Sequence, residues 1–201
     1  MAVFTRNGYG QVEPNQLSAQ KTGQIYASLP LDKNVSVLQN GEFMYYDYKT
    51  STVTADATVG EPMLVFNEIK LYEPYWQTSY KDFAMIRVGD NYVTSRPATG
   101  AYGDGAENVG AADKNHTEYG YRMDGIAPRL FKTNIGDIMT TNMVKTDVEY
   151  NVGDLLTPVK NADSNTLVLE IAGGNTGMLW QVAKVYTMPD GQPGLKLQRV
   201  Q

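Results

Sequence analysis

Short β-branched or aromatic runs, separated by Gly, Asn, Asp and Pro, dominate the hydrophobic pattern. In the segment VSVLQNGEFMYYDY two such runs flank Asn40-Gly41, the pair that favours a tight type I′ hairpin turn. Further strands are predicted at 63–67, 69–72, 83–88 and 92–95, the last two joined by a turn. No window of eleven or more residues carries a helical apolar stripe.

The C-terminal third predicts a three-stranded antiparallel meander over 166–171, 178–187 and 195–200. Gly173-Gly174-Asn175 and Pro189-Asp190-Gly191 are expected to form its turns. Alternation places one apolar side of each strand in a core. The predicted core residues of the first two strands are Leu167, Leu169, Ile171, Met178, Trp180 and Val182.

A near-repeat relates 135–140 (IGDIMT) to 152–157 (VGDLLT). Each copy has an apolar residue, a Gly-Asp turn and a strand, which is typical of successive strands in a small barrel or sandwich. The predicted fold class is therefore all-β and mostly antiparallel, a small β-barrel or sandwich.

The first thirty residues are polar, with spaced apolar anchors and several Gly and Pro residues. They predict an extended N-terminal arm over 1–30 that orders on a partner rather than on its own core, with a disordered tail as the alternative. One short helix is expected over 16–21, capped by Asn15 and ended by Gly23. The β domain then covers 31–201.

Residues 97–120 are rich in Gly and Ala, and Val109 is their only large aliphatic residue. Such a segment buries too little apolar area to offset an ordering cost of roughly 1 to 2 kcal/mol per residue. It is predicted to be a surface insertion.

Composition narrows the class of protein. The 201 residues include no Cys and carry a net charge of -5, and no two basic residues are adjacent, which argues against nucleic acid as a partner. The N-terminus lacks the pattern of a signal peptide, and the longest apolar runs, such as 63–66, are far shorter than the roughly 20 residues that span a bilayer. A soluble protein made in a cytoplasm, with no membrane partner, is expected.

Catalytic chemistry has little support. The only histidine, His116, lies in the insertion, and no Gly-x-Ser-x-Gly motif is present. Asp104, Glu107 and Asp113 allow a calcium site in principle, but solvated loop charges explain them better. The expectation is no enzyme, no cofactor and no metal.

Aromatic residues are abundant, with 14 tyrosines and the run YEPYWQTSY over 72–80. Tyr and Trp suit protein interfaces and β cores equally, so both interpretations stay open for this run. The candidate interface residues are Val3, Phe4, Tyr9, Tyr75, Trp76 and Tyr80.

Five segments carry a family resemblance: MAVFTRNGYG, LSAQKTGQIYA, MLVFNEIKLYE, PRLFKTNIGDIMTTN and MLWQVAKVYTMPDGQPGLKLQRV. With them the chain resembles small structural proteins encoded near the major capsid gene of tailed bacteriophages. The resemblance implies a capsid decoration or cement protein on the virion surface, assembled in the host bacterial cytoplasm. Implied partners are the major capsid protein, neighbouring copies of the chain and a head-fibre protein.

Two alternatives remain. One is another virion role: a head-fibre base, a tail component or a head-tail connector. The other is a carbohydrate-binding β module in which Tyr75, Trp76 and Tyr80 form a stacking platform.

Overall fold

A computed structural model describes residues 3–6, 10–35, 37–57, 60–67, 127–174, 177–188 and 191–201, together with the backbone of 85–87. In these ranges one five-residue helix, α1 (Ser18–Thr22), accompanies thirteen short strands. The strands are β1 (Val12–Gln16), β2 (Ile25–Tyr26), β3 (Val37–Gln39), β4 (Phe43–Asp47), β5 (Thr52–Thr54), β6 (Met63–Val65), β7 (Met85–Arg87), β8 (Leu130–Phe131), β9 (Ile138–Thr141), β10 (Leu155–Asn161), β11 (Thr166–Ile171), β12 (Trp180–Thr187) and β13 (Pro193–Arg199). All their pairings are antiparallel, which confirms the predicted all-β class.

Eleven strands form one sheet in the order β1-β9-β13-β12-β10-β11-β4-β6-β8-β2, with β5 on β4. The edge strands β1 and β2 are close in sequence, because only residues 17–24 separate them. A connection this short requires the sheet to curl, and the result is a half-barrel. The connection contains α1, and Leu17 and Ala19 are buried there.

The core fills the inside of this curl. Trp180, Phe43 and Phe131 are its largest fully buried side chains, and the rings of Phe43 and Trp180 lie 6.0 Å apart. Leu64 and Leu169, from neighbouring parts of the sheet, are also fully buried. The apolar sides of many short strands thus meet in a single core.

The predicted C-terminal meander is wrong in its strand order. β12 and β13 pair as expected, but β10 lies between β11 and β12, and Leu156 is opposite both Ile171 and Trp180. Proximity in sequence favoured a direct pairing of β11 with β12. Instead, β10 pairs with both of these strands. Trp180 and Val182 are buried as predicted, but Ile171 is 48% exposed because it lies at the end of its ladder.

The hairpin predicted around Asn40-Gly41 is also wrong, although the turn itself is present. Gly41 has φ +95°, but β3 pairs with β7 in a separate two-stranded sheet, and β4 pairs with β5, β6 and β11. The side chain of Asn40 in the turn forms hydrogen bonds with the main chain just after β6 instead. Asn40 Nδ2 donates to Asn67 O at 3.1 Å, and Asn67 N donates to Asn40 Oδ1 at 2.7 Å.

The N-terminal thirty residues do not form a separate arm in their described part. β1 pairs with β9, β2 pairs with β8, and Phe4 bridges to Val148. Phe4 and Leu17 are 5% and 2% exposed. The expectation that this segment orders on a partner is therefore wrong, because its spaced anchors fill positions in the domain's own core.

The short helix is confirmed near its predicted place, and Gly23 ends it with φ +69°. Asn15 does not cap it, since its Oδ1 accepts a hydrogen bond from Thr140 Oγ1 at 2.7 Å. The distant Asp137 replaces it: Oδ1 accepts the N–H of Ser18 and Oδ2 accepts the hydroxyl of Ser18, both at 3.0 Å.

Other predicted segments have mixed outcomes. The strands at 63–67 and 83–88 are confirmed as β6 and β7. The strands at 69–72 and 92–95 and the insertion at 97–120 lie outside the described residues.

Asp137→Ala is expected to lower the free energy of unfolding by about 2 kcal/mol, because the carboxylate accepts three hydrogen bonds at a buried position, from Ser18 N, Ser18 Oγ and Asn134 N. Asp154→Ala is the matched control, since Asp154 accepts one main-chain N–H at a more exposed place and should cost about 1 kcal/mol or less. Urea denaturation measures both. Equal losses would contradict this role of Asp137.

Candidate interaction surface

The near-repeat corresponds to two turns of the same construction, the first turn (134–137) and the second turn (151–154). Both have the sequence Asn-Ile/Val-Gly-Asp. In each, the Asp side chain accepts the N–H of the Asn, at 2.9 Å in the first and 2.8 Å in the second. The Asp N–H donates back to the Asn carbonyl, at 3.0 Å and 3.1 Å. These reciprocal bonds make the turns rigid.

The glycine in each turn ties it to the neighbouring strand. Gly136 and Gly153 have φ of +94° and +99°, a left-handed conformation that suits glycine. Gly136 N donates to Arg199 O of β13, and Gly153 N donates to Val182 O of β12, both at 2.8 Å. The two turns therefore flank the β12–β13 pair on opposite sides.

The residue before each glycine projects into solvent. Ile135 is 71% exposed and Val152 is 68% exposed. β-branched side chains have few rotamers and lose little entropy when another surface covers them. The turns thus present two preorganised apolar contact points.

A row of opposed residues crosses the sheet between the turns: Ile138, Gln198, Gln181 and Leu155, on β9, β13, β12 and β10. At about 4.8 Å between strands, the row is about 15 Å wide. Both glutamines are exposed, and Leu155 is 38% exposed. This part of the sheet faces outward.

Exposed apolar side chains concentrate around this row. Among the described residues eight large hydrophobic side chains are exposed, and six of them lie on β10 to β13 or on the segments that adjoin β9 to β13. The register places Ile171 and Val185 on the other face of the sheet, opposite the buried Leu156 and Leu195. The remaining four, Ile135, Val152, Leu155 and Val200, together with the row form what we term the contact surface. Exposed apolar side chains that concentrate on one part of a domain are typical of a surface that binds another protein.

The structure describes two of the six interface residues predicted from sequence, Val3 and Phe4. Val3 is 54% exposed, whereas Phe4 packs edge-on against Tyr150 at 5.8 Å between ring centroids. The prediction that Phe4 contacts a partner is wrong in this structure, since its side chain belongs to the core. The other four, Tyr9, Tyr75, Trp76 and Tyr80, lie outside the described residues.

Sequence reasoning missed Ile135 and Val152 as contact residues. The near-repeat was the signal in the sequence that could have pointed to them. An Asn precedes both copies, so the repeat is one residue longer than predicted. Because strand alternation starts only after the Gly-Asp pair, the pattern alone does not reveal which side of the turn the apolar residue occupies.

One carboxylate is buried beside the β3–β4 turn. Glu42 is 1% exposed, and its Oε2 and Oε1 accept hydrogen bonds from Gln39 N at 2.7 Å and Thr166 Oγ1 at 2.8 Å. Burial raises the pKa of Glu42 to about 7, against the lowering effects of these bonds and of the Arg6 charge. Burial in turn lowers the pKa of Arg6, and the Glu42 charge opposes this.

A cleft of about 480 Å³ opens near the C-terminus. It is lined by Tyr45, Gly60, Glu61, Pro62, Thr157, Pro158, Gly177, Met178 and Gln201. Glu61 forms an ion pair with the buried Arg199, whose guanidinium also donates to Thr133. The carboxylate of Glu61 in the cleft is thus paired with a buried guanidinium.

Within the described ranges no group of three or more His, Cys, Asp or Glu side chains is arranged to bind a metal ion, and no helix there is long and apolar enough to cross a membrane. His116 and the acidic residues of the insertion lie outside those ranges.

No family model matches the chain, and no curated protein or solved structure matches it.

Proposed function

We propose that this chain is a structural protein of a tailed-phage virion that binds the capsid shell and stabilises it, without catalysis. The resemblance of its five segments to phage decoration proteins supports the proposal. The structural observation that carries it is the pair of rigid Asn-x-Gly-Asp turns, which present Ile135 and Val152 on either side of an exposed sheet. Its partners are the major capsid protein and neighbouring copies.

A preorganised surface suits this role. Contacts that are already ordered lose little conformational entropy on binding, so a small apolar surface suffices for useful affinity. Repetition over a capsid lattice, with contacts between neighbouring copies, adds avidity to each weak site. Binding to the expanded shell alone stabilises that state by mass action.

Copy number per purified particle tests the proposal directly. A decoration protein on a symmetric lattice is expected in hundreds of copies, whereas a head-tail connector forms one ring of about a dozen. Quantitative mass spectrometry against the major capsid protein measures this. Particles with a dozen copies or fewer, or with none, would contradict capsid decoration.

The double variant Ile135→Ser/Val152→Ser is expected to lose capsid binding while it keeps its fold. Both side chains are more than two-thirds exposed, so the melting temperature should change by about 2 °C or less. Occupancy on expanded shells in a sedimentation assay should fall at least about tenfold, since apolar anchors dominate such interfaces.

Tyr48→Ser is the matched control for this variant. Tyr48 is 72% exposed, but it lies in the turn after β4, outside the contact surface. Its loss should leave occupancy unchanged. If the double variant sedimented with shells as the unmodified protein does, the contact surface would not be the capsid-binding site.

A further inference from the structure

The contact surface has an internal two-fold symmetry, centred between Gln181 and Gln198. These two exposed residues are directly opposite each other on the antiparallel strands β12 and β13. Between two such opposed residues, an antiparallel pair has a local two-fold axis perpendicular to the sheet. A half-turn about this axis exchanges β12 with β13 and Gln181 with Gln198.

The symmetry extends to the strands on either side. Gln198 is opposite Ile138 on β9, and Gln181 is opposite Leu155 on β10. The same half-turn therefore exchanges β9 with β10 and Ile138 with Leu155. Two opposed pairs of fully buried side chains are exchanged in the same way, Met139 with Leu197 and Leu156 with Trp180.

The main-chain bonds of the two turns follow the same symmetry. In the first turn, Arg199 accepts the N–H of Gly136 at 2.8 Å and donates its own N–H to the carbonyl of Asp137 at 2.9 Å. In the second turn, Val182 makes the corresponding two bonds with the Gly and the Asp at the equivalent positions, at the same distances. The exposed apolar residues of the two turns are therefore equivalent about the axis.

The contact surface is too small to hold two free copies of the chain together. It is about 15 Å wide, and it extends at most about 20 Å along the strands, because each apolar turn residue precedes the row by three positions, on opposite sides of the row. These dimensions correspond to roughly 300 Å², whereas a stable complex buries about 800 Å² on each partner. The surface therefore suits a partner whose copies are already held together.

The chemistry of the surface defines that of its partner. Its seven residues are all uncharged: Ile135, Ile138, Val152, Leu155, Gln181, Gln198 and Val200. Covering them does not bury an ion of this chain, so an apolar epitope suits the surface better than a charged one. The central glutamines both donate and accept hydrogen bonds, so they can pair with neutral polar groups near the axis.

We propose that the contact surface binds on a two-fold axis of the capsid shell, so that its two turns contact the same uncharged, apolar epitope on two capsid subunits. This inference rests on the capsid-binding function proposed above. In a closed shell of identical subunits, two-fold axes relate subunits of neighbouring capsomers. The symmetry of the surface then coincides with that of its partner, and one small epitope is used twice.

Cryo-electron microscopy of expanded shells saturated with the unmodified protein locates the binding site. Density centred on two-fold axes is expected, with about one copy for every two capsid subunits, because two subunits share each axis. Density at capsomer centres, on three-fold axes or on single subunits would overturn the two-fold site and leave capsid decoration intact. Shells without bound protein would contradict the proposed function and the two-fold site together.

Two variants with one isoleucine and one serine in the turns provide a second test. Val152→Ser keeps the isoleucine in the first turn, whereas Ile135→Ser/Val152→Ile moves it to the second. On a two-fold axis both variants present one isoleucine to one of two identical epitopes. Each should bind expanded shells about fivefold or more weakly than the unmodified protein, and their dissociation constants should agree within about threefold.

A larger difference between these two variants would mean that the turns contact different groups, which excludes the two-fold site. Unweakened binding of both would exclude it as well. Sedimentation equilibrium of the free protein tests the other occupant, a second copy of the chain. A monomer is expected at about 10 µM, because the surface is small. A dimer that Ile135→Ser/Val152→Ser dissociates would assign the surface to a second copy and refute the capsid site.

Discussion

Phe4→Ala is expected to lower the free energy of unfolding by about 3 to 5 kcal/mol, the usual cost of removing a buried phenylalanine ring. Phe4 is 5% exposed, packs against Tyr150, and is held by two main-chain bonds around Val148. For a chain of this length the loss corresponds to a decrease of about 10 °C in melting temperature. Calorimetry or urea denaturation measures it.

Val3→Ala is the matched control, because Val3 is adjacent in sequence and 54% exposed. It should change stability by about 0.5 kcal/mol or less. Deletion of residues 2–12 should cost at least as much as Phe4→Ala, because it also removes the Arg6, Gly10 and Gln11 contacts. A deletion variant that melted at the temperature of the intact chain would restore the expectation of an independent arm.

Glu42→Gln is expected to make the protein more stable above neutral pH, by about 3 kcal/mol at pH 8. The pKa of Glu42 is about 7 in the folded protein and 4.5 in the reference state. Below pH 4.5 Glu42 carries the proton in both the folded and the unfolded state, so its ionisation costs no stability there. Between pH 4.5 and 7 the unfolded chain ionises first, so stability falls by about 1.4 kcal/mol per pH unit and then levels off. An amide avoids this loss and can still pair with Gln39 N and Thr166 Oγ1.

The difference between Glu42→Gln and the unmodified protein isolates this group from all other titrations. Urea denaturation at pH 4, 6 and 8 should show a difference that is near zero at pH 4 and largest at pH 8. Glu170→Gln is the matched control, since Glu170 pairs with the exposed Lys145 and should not reproduce this increase. A constant difference across the range would mean that Glu42 ionises in the folded protein as it does in water.

Local features of the fold were predictable from the sequence. Strand-forming runs at 63–67 and 166–171, the helix stop at Gly23, and the turns of the near-repeat depend on propensity and on backbone conformations that neighbouring residues determine. Burial of Trp180 and Val182 also follows from alternation along one strand.

Strand order was not predictable in the same way, because many pairings satisfy the same alternation. The chain favoured the β3–β4 hairpin and the β11–β12 pairing, but hydrogen bonds from Asn40 to Asn67 and the two ladders of β10 produce a different order. These are contacts between distant parts of the chain, and no local pattern encodes them.

The candidate surface also depends partly on local sequence and partly on the tertiary structure. By itself the sequence determined an all-β protein, with rigid Gly-Asp turns and apolar anchors in its first thirty residues. Only the tertiary structure decided that Phe4 lies in the core while Ile135 and Val152 face solvent. The physical reason is that an apolar residue is buried only where the curled sheet brings other apolar side chains to it, and that curvature depends on the pairing of all the strands.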